Sequence, residues 1–469
     1  MTDIIIVLTV YLAIIGSIIF GKDFKLKTWT SPRLVVAPLL GIILIILLTA
    51  MKWIDLVEVI RLKAGLVVLI LSFAYLANSL DESGFFEYIA LRIVNSAHGS
   101  GKHLFIFFFL MTSVLTYFTS NDVIILSITP ILLYVGKNAG IRDMVPYLMA
   151  QFIAANTLSM GLYIGSPTNI VLGDALGLNF FTFFHSMLLP SITATIVTLG
   201  VLYYLFYTKR FLGHGIQESY TCFAKFPPFT FEMLMKATWF ILCLMTLAFN
   251  ESLNLPLWQI SLGFALLILS LDLIVFSRRW GIIRADDYRK WYDTLIFKCK
   301  GHIIGHLHGR MPYTIVPFVF GFFFFVQAMS RFGISSYIAN HLFGLVADKG
   351  IVPATLFYGL VSSLFVNLMN DIPATVFLSD VLQNAAFKSD SIRRAAILAT
   401  AVGVNVGCYI TYIGALAGIM WFKLIENQKM RGRIDAITPT KKEFFLIGII
   451  VAPLVILSAC VVIILQIWK

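Results

Sequence analysis

The chain has 469 residues, of which 59% are hydrophobic and 13% are charged, and its formal net charge is +11. A soluble domain carries about a quarter charged residues, so this composition excludes an ordinary soluble protein and indicates an integral membrane protein. The basic residues cluster between apolar runs, which favours the positive-inside pattern of membrane proteins over a nucleic-acid partner. The five cysteines are scattered and odd in number, and they predict no disulfide framework.

The apolar runs are continuous rather than alternating, which predicts membrane-spanning helices and not a β-barrel. The first run lacks a basic start and a small-residue cleavage site, so it is predicted to be a retained helix. Crossing helices are predicted near residues 4–20, 34–50, 63–80, 145–176, 190–207, 236–250, 258–276, 313–330, 391–425 and 443–466.

Two further segments, 103–137 and 352–386, each have two short apolar arms around a polar tip. A carboxylate in the middle of a bilayer is unfavourable unless it faces a cavity or another helix. Each segment is therefore predicted to be a re-entrant hairpin that enters and leaves the membrane on one side.

Basic loops predict the orientation of the helices in the membrane. The loops that the pattern places inside are 21–33, 208–235, 277–312 and 427–442. Lys388, Arg393 and Arg394 fall on the outer side and depart from the pattern. This orientation opens the first hairpin to the inside and the second to the outside, so the two halves are predicted to run in opposite directions.

A shift of 249 residues aligns the polar positions of the two halves without a gap. It pairs the tip Ser120-Asn121-Asp122 with Met369-Asn370-Asp371, the run Tyr163-Ile164-Gly165 with Tyr412-Ile413-Gly414, and Asn156 with Asn405. Paired halves with matching helix interruptions are typical of secondary transporters, whose site lies where the halves meet. The predicted fold is an all-α polytopic membrane protein, an inverted repeat with two re-entrant hairpins and two broken transmembrane helices.

The same register predicts four parts of the chain. Scaffold helices occupy residues 1–60, the first repeat 61–210, linker helices with a basic loop 211–312, and the second repeat 313–469.

The hairpin tips are the first candidate binding residues. Ser120, Asn121, Asp122, Asn370 and Asp371 are residue types that begin helices, so unpaired amides and the positive end of a helix dipole are expected there. The two aspartates either cap helices only, or also take up a proton or pair with a coupling cation.

The broken helices are the second set of candidates. Gly165 and Pro167 predict that the first helix opens, which frees carbonyls and amides for a ligand. Ser166, Thr168 and Asn169 add side-chain oxygens, so the first half is expected to supply more side-chain ligands.

The second helix can break at Gly414, between Thr411 and Ala417, but no proline enforces it. The other interpretation of its small residues is close helix packing. Asn156 and Asn405 either bind substrate or form interhelical hydrogen bonds.

No metal site and no cofactor are predicted. His302, His306 and His308 have spacing that suits a metal, but they lack a cysteine or acidic partner in the same run, so a solvated or headgroup-facing loop is favoured.

These motifs resemble the ion transporter superfamily, which contains arsenite/antimonite permeases and citrate and dicarboxylate carriers. The stretch Gly403 to Leu424 is most similar to the arsenical pump membrane protein family. The resemblance implies a scaffold and a mobile transport part, with substrate and coupling ion at the tips and at Gly165 to Asn169 and Gly414 to Ala417. Two residues depart from that family's pattern: Tyr412 replaces a proline and Ala415 replaces a serine.

The sequence therefore predicts a secondary active transporter in the inner or plasma membrane, not an enzyme. Its expected substrate is a small anion or a metalloid oxyanion such as arsenite, or a carboxylate, moved as a symporter or antiporter with sodium or protons. The alternatives are a cation/proton antiporter and, more remotely, a passive channel or an intramembrane enzyme. A homodimer follows only from analogy, and an ATPase partner stays open.

Overall fold

We describe the fold from a computed structural model. The structure describes residues 2–20, 24–26, 29–31, 33–208, 210–220, 228–279, 315–430 and 436–468. The histidine cluster at His302, His306 and His308 and most of the basic linker loop lie outside the described residues.

The described residues form twenty α-helices, which we number in chain order. They are α1 (Thr2–Phe20), α2 (Arg33–Leu48), α3 (Trp53–Glu82), α4 (Phe85–Ser96), α5 (Gly101–Phe118), α6 (Asn121–Ala139), α7 (Val145–Leu158), α8 (Pro167–Ala175), α9 (Phe180–Tyr203), α10 (Phe231–Ala248), α11 (Asn250–Leu253), α12 (Leu257–Arg279), α13 (Ile315–Arg331), α14 (Ile334–Ile338), α15 (Gly344–Ala347), α16 (Ile351–Met369), α17 (Asp371–Asn384), α18 (Asp390–Gly407), α19 (Leu416–Met430) and α20 (Lys441–Trp468). A short antiparallel ribbon pairs Phe24–Leu26 with Trp29–Ser31.

The all-α polytopic fold predicted from the apolar runs is confirmed. By length and composition, six described helices can cross a membrane: Gly101–Phe118, Asn121–Ala139, Phe180–Thr208, Phe231–Ala248, Ile351–Met369 and Lys441–Trp468. Three of these six are arms of the two predicted hairpins. The re-entrant path of the hairpins in the bilayer, and the predicted domain boundaries, stay predictions.

Both long helices that were predicted to break do so. The first crossing divides into α7 and α8 around a short 3-10 turn, Ser159–Gly161, and α8 begins at Pro167. The second crossing divides into α18 and α19, and α19 begins at Leu416 without a proline. Pro167 and Leu416 lie 249 positions apart, so both helices restart at the same point of the repeat.

The two broken helices run antiparallel to each other. At one end of the bundle, the amide of Met144, which precedes α7, donates to the carbonyl of Ile437, which follows α19, over 2.9 Å. At the other end, Arg394 in the first turns of α18 donates to the hydroxyl of Ser186 in the first turns of α9 over 2.9 Å. These contacts place the start of α7 beside the segment after α19, as an inverted repeat requires.

A histidine joins three segments at the end that the charges predict to be inside. Nδ1 of His214 lies 3.1 Å from an oxygen of Asp143, and Nε2 lies 3.0 Å from an oxygen of Glu443. A neutral imidazole has one N–H, so two carboxylate partners favour the doubly protonated ring. Burial lowers the pKa of His214, but the hydrogen bond to Glu443 and the charge of Asp143 outweigh burial and raise that pKa above its ordinary value.

A second buried basic residue lies on α10, outside the contacts between the two repeats. Lys236 on α10 is the one buried lysine or arginine among the described residues. Its amine binds Asp272 on α12 at 2.7 Å and Glu232 at 3.1 Å. These ion pairs neutralise the charge of Lys236, and the pair with Asp272 holds α10 against α12.

Candidate functional site

The first hairpin tip is fastened to the first break through one asparagine. The amide of Asn121 donates to the carbonyl of Gly165 over 3.1 Å. Its side-chain nitrogen donates to Oδ1 of Asn156 over 3.0 Å, and its Oδ1 accepts the amide of Asp122. All three polar groups of Asn121 are thus used within the protein. Ser120 precedes α6 as its N-cap residue, but its hydroxyl makes no capping hydrogen bond.

The second hairpin tip has a strained backbone. Asn370 has φ +74° and ψ 161°, a region that is nearly restricted to glycine and costs other residues about 1–3 kcal/mol. Its side-chain nitrogen donates to the carbonyl of Ile413 over 2.8 Å, which fastens this tip to the second break. Asp371 follows and accepts the amide of Ile372 at Oδ1.

The side chains of the first break bond mainly to each other and to the opened backbone. The hydroxyls of Ser166 and Thr168 lie 2.8 Å apart, and Ser166 caps α8. The side-chain nitrogen of Asn169 donates to the carbonyls of Ser159 and Leu162, each over 2.9 Å. Pairing of these freed carbonyls stabilises the break.

Gly165 is required in the first break by close packing. A β-carbon at this position would lie 2.3 Å from the carbonyl oxygen of Ser159. The chain can therefore fold back against Ser159 within the break only because position 165 has no side chain.

The second break is held by a residue that sequence reasoning missed. Oδ1 of Asn367 accepts from the amide of Thr411 over 2.9 Å and from its hydroxyl over 2.7 Å. The side-chain nitrogen of Asn367 donates to the carbonyl of Gly407, the last residue of α18. The available signal was a polar residue in an apolar arm, one helical turn before the tip. Asn367 therefore holds the second helix open, which is the role that Pro167 has in the first helix.

The small residues of the second break lie against its own backbone. A β-carbon at Gly414 would lie 3.0 Å from Oδ1 of Asn367, and one at Gly418 would lie 2.5 Å from the carbonyl of Tyr412. Ala417 is buried in the first turn of α19. Small side chains at these positions therefore allow the break to fold back on itself.

The two repeats meet through their asparagines. The side-chain nitrogen of Asn405 on α18 donates to Oδ1 of Asn169 on α8 over 2.7 Å. Helix α6 packs against α19, and α17 packs against α8, so each second hairpin arm contacts the second part of the other repeat's broken helix. The structure thus brings together all the predicted site residues at one junction of four helix starts. Asn156 and Asn405 both form the interhelical hydrogen bonds that the sequence offered as their alternative role.

The two aspartates are close enough for their charges to repel each other. Asp122 and Asp371 interact electrostatically, and both interact with the buried thiol of Cys408, which donates to the carbonyl of Val404. Two carboxylates in one buried site are unfavourable when both are ionised. The pair is therefore suited to holding a proton or a cation.

Three buried acceptor oxygens at this junction have no hydrogen-bond partner among the described residues. They are Oδ1 of Asp122, Oδ1 of Asn370 and Oδ1 of Asn405. Buried polar atoms in folded proteins are nearly always paired, so these oxygens are available to accept hydrogen bonds from water or a bound ligand, or to contact a cation. The predicted asymmetry of the site thus takes a different form: among the described residues, the first half leaves one carboxylate oxygen of Asp122 without a partner, while the second half leaves two amide oxygens.

Comparison with known proteins supports this interpretation of the fold. Residues 18–404 match the family described as CitMHS, citrate transporter. The arsenical pump membrane protein of Escherichia coli strain K12 is 29% identical over 366 residues, which cover 75% of this chain and 76% of that protein. The putative arsenical pump membrane protein of Bacillus subtilis strain 168 is 23% identical over 399 residues, 82% of this chain and 86% of the relative.

A solved structure shares the fold at lower identity. The YdaH transporter of Alcanivorax borkumensis, whose crystal structure shows an unusual topology, superposes with a TM-score of 0.53 at 13% identity and covers 100% of this chain and 98% of its own. The resemblance to arsenical pump membrane proteins expected from the motifs is confirmed. This chain belongs to the CitMHS citrate transporter family, a family of multi-pass membrane transporters.

Proposed function

We propose that this protein is a secondary active transporter of a small hydroxylated metalloid oxyacid, such as arsenite or antimonite, and that a proton gradient drives it. The observation that carries the proposal is the set of three unpartnered acceptor oxygens on Asp122, Asn370 and Asn405. A metalloid trihydroxide presents three hydroxyl donors around one centre, which matches three acceptors better than a ligand that has only acceptors.

The charges of the site favour the same class of ligand. Among the described residues the buried lysine or arginine is Lys236, and it pairs with Asp272 and Glu232 away from the tips. The junction itself therefore has two acids and no buried base in the described part of the chain. An uncharged hydroxylated ligand enters such a site at lower electrostatic cost than a multiply charged anion does.

The helix starts at the junction complement the acids. Helices α6, α8, α17 and α19 all begin there, and a helix start carries about half a positive charge with unpaired amides. The positive ends of these helix dipoles stabilise the negative end of a polarised oxyacid, or the anion that forms when it loses a proton. The amides of Asn121, Asp122 and Ile372 already bond within the protein. The site therefore combines helix dipoles with side-chain acceptors.

Asp122 and Asp371 are the proposed coupling groups. Their mutual repulsion makes single protonation of the pair favourable when the site is empty of cations. Binding a donor-rich substrate to the ionised carboxylate then competes with the proton. Because protons and substrate compete for the same carboxylates, protons can exchange for substrate across the membrane, and a proton gradient can drive transport.

Names of relatives support the metalloid, and the matched family supports a carboxylate. Several relatives are called arsenical pump membrane proteins, while the family description is citrate transporter. A tricarboxylate would place several negative charges beside the two aspartates without a buried basic partner in the described residues. We therefore rank the metalloid oxyacid first and a carboxylate second.

Purified protein in proteoliposomes tests the assignment. We expect arsenite and antimonite to be transported against their gradient when a pH difference is imposed, without ATP, and sodium to have no effect. Citrate and sulfate are the competing substrates and are measured in the same vesicles. Citrate accumulation without arsenite transport would assign the second candidate. Proton-driven sodium or potassium exchange without any anion effect would assign the cation/proton antiporter, and flux that neither saturates nor follows a gradient would indicate a channel.

A further inference from the structure

The outer end of the second repeat carries basic residues that the transport site does not use. Lys388, Arg393 and Arg394 lie at the start of α18, on the side that the basic loops predict to be outside. Basic residues on that side oppose the positive-inside rule. A local role for their charges is therefore needed to account for them.

Two of these three residues line a cleft of about 430 Å³ between α18 and α9. Arg393 and Arg394 form one wall with Asp390, while Thr182 and Ser186 of α9 supply hydroxyls on the other. The remaining wall is apolar, and its residues are Leu176, Leu178, Phe183, Ile397 and Leu398. Lys388 does not line the cleft.

The guanidinium groups in the cleft have unused donors. Arg394 donates through Nη2 to the hydroxyl of Ser186 over 2.9 Å, which orients it into the cleft. In the described part of the chain neither Arg393 nor Arg394 forms an ion pair. A guanidinium has five N–H donors in a planar fork that fits phosphate or carboxylate oxygens. With two arginines and one aspartate, the cleft keeps a net positive charge.

We propose that this cleft is a binding site for a phosphate oxyanion, separate from the transport site. The two arginines hold the phosphate oxygens, Thr182 and Ser186 add hydroxyl donors, and the apolar wall accommodates hydrocarbon attached to the phosphate. An anionic phospholipid of the outer leaflet supplies both parts, and free phosphate supplies the first alone. The proposal does not depend on which substrate the protein transports.

The position of the cleft gives the bound anion a structural consequence. It lies between the start of α18, which carries Asn405 further along, and the chain that connects α8 to α9. A phosphate held there joins the outer ends of the two broken helices. We therefore expect anion binding to raise the thermal stability of the purified transporter.

Thermal unfolding of the full chain in a neutral detergent tests the site with two probes. One arm adds phosphatidylglycerol with phosphatidylcholine as its uncharged control, and the other adds inorganic phosphate with chloride as its control. We expect phosphatidylglycerol to raise the unfolding temperature and the double variant Arg393→Gln/Arg394→Gln to need at least about tenfold more lipid for the same rise, because each arginine contributes charge-assisted hydrogen bonds. A response to phosphate as well assigns a free-anion site, and a response to the lipid alone assigns a headgroup site.

Matched variants separate specific binding from general attraction. Lys388→Gln removes one positive charge from a residue near the start of α18 that does not line the cleft, and it should respond like the wild type. Arg394→Lys keeps the charge but loses the planar set of guanidinium donors, so it should fold normally and weaken the response. This variant tests the site if the double variant does not fold. The proposal is overturned if neither probe stabilises the wild type beyond its control, or if Lys388→Gln loses the response as much as the arginine variants do.

Discussion

The two hairpin tips carry the same Asn-Asp pair but hold it in different backbones. In the first tip Asn121 is the first helical residue, and all three of its polar groups bond to the protein. In the second tip Asn370 sits at φ +74°, and its side-chain oxygen has no partner among the described residues. The two asparagines therefore differ: Asn121 uses its whole side chain to hold the junction together, whereas Asn370 leaves its side-chain oxygen without a described partner on a strained backbone.

The same difference appears in the two breaks. Pro167 and the capping hydroxyl of Ser166 open the first helix by local chemistry. The second helix is held open by Asn367 from a neighbouring helix, across 2.9 Å to Thr411. A break that depends on a neighbour can change when that neighbour moves. This comparison makes the second half the more suitable place for the conformational change of transport.

Replacing Gly165 and Gly414 with alanine should give the largest difference between the two breaks. A β-carbon at Gly165 meets a backbone carbonyl at 2.3 Å, whereas one at Gly414 meets a side-chain oxygen at 3.0 Å. Overpacking costs about 1–3 kcal/mol, so we expect Gly165→Ala to lose about 3 kcal/mol and Gly414→Ala about 1 kcal/mol or less. Unfolding of the purified variants in detergent measures both. Equal losses would contradict the difference between the two breaks.

Replacement of the two tip asparagines should separate structure from binding. Asn121→Ala removes several buried hydrogen bonds worth about 1 kcal/mol each, so stability should fall by about 2 kcal/mol. Asn370→Gly loses one such bond but relieves a strain of about 1–3 kcal/mol, so stability should stay level or rise while KM for substrate increases about tenfold. Paired thermal and transport assays check this. An Asn370→Gly protein with normal KM would remove that oxygen from the binding site.

The His214 cluster should make the stability of the protein sensitive to pH. The pKa of His214 is raised above its ordinary value of 6.5, so the folded state binds this proton more tightly than the unfolded state does. Its stabilising contribution is fully present below about pH 6.5 and is lost as pH rises through the folded-state pKa. We expect the unfolding temperature to fall across this range in the wild type and to vary less in His214→Gln. Identical pH profiles would contradict a charged imidazole between Asp143 and Glu443.

Much of the architecture could be predicted because apolar runs and helix-breaking residues act locally. The Pro167 break and the helix positions rest on patterns within one segment, and the antiparallel halves rest on the charges of successive loops. The roles of the tip residues could not be predicted this way. The free oxygens of Asn370 and Asn405, and the role of Asn367, depend on which distant backbone each side chain meets. The departures of Lys388, Arg393 and Arg394 from the positive-inside pattern were visible in the sequence. The cleft lined by Arg393 and Arg394 could be found only from the packing of α18 on α9.

Proton-driven substrate accumulation in proteoliposomes tests the coupling claim most directly. Asp122→Asn and Asp371→Asn are compared with the wild type and with Asp348→Asn, which changes an exposed aspartate at the opposite end of α16 from the second tip. We predict that either tip variant remains folded in detergent but no longer accumulates substrate in response to a pH difference, while Asp348→Asn behaves as the wild type. Normal gradient-driven accumulation in both tip variants would show that the two carboxyl groups only begin helices.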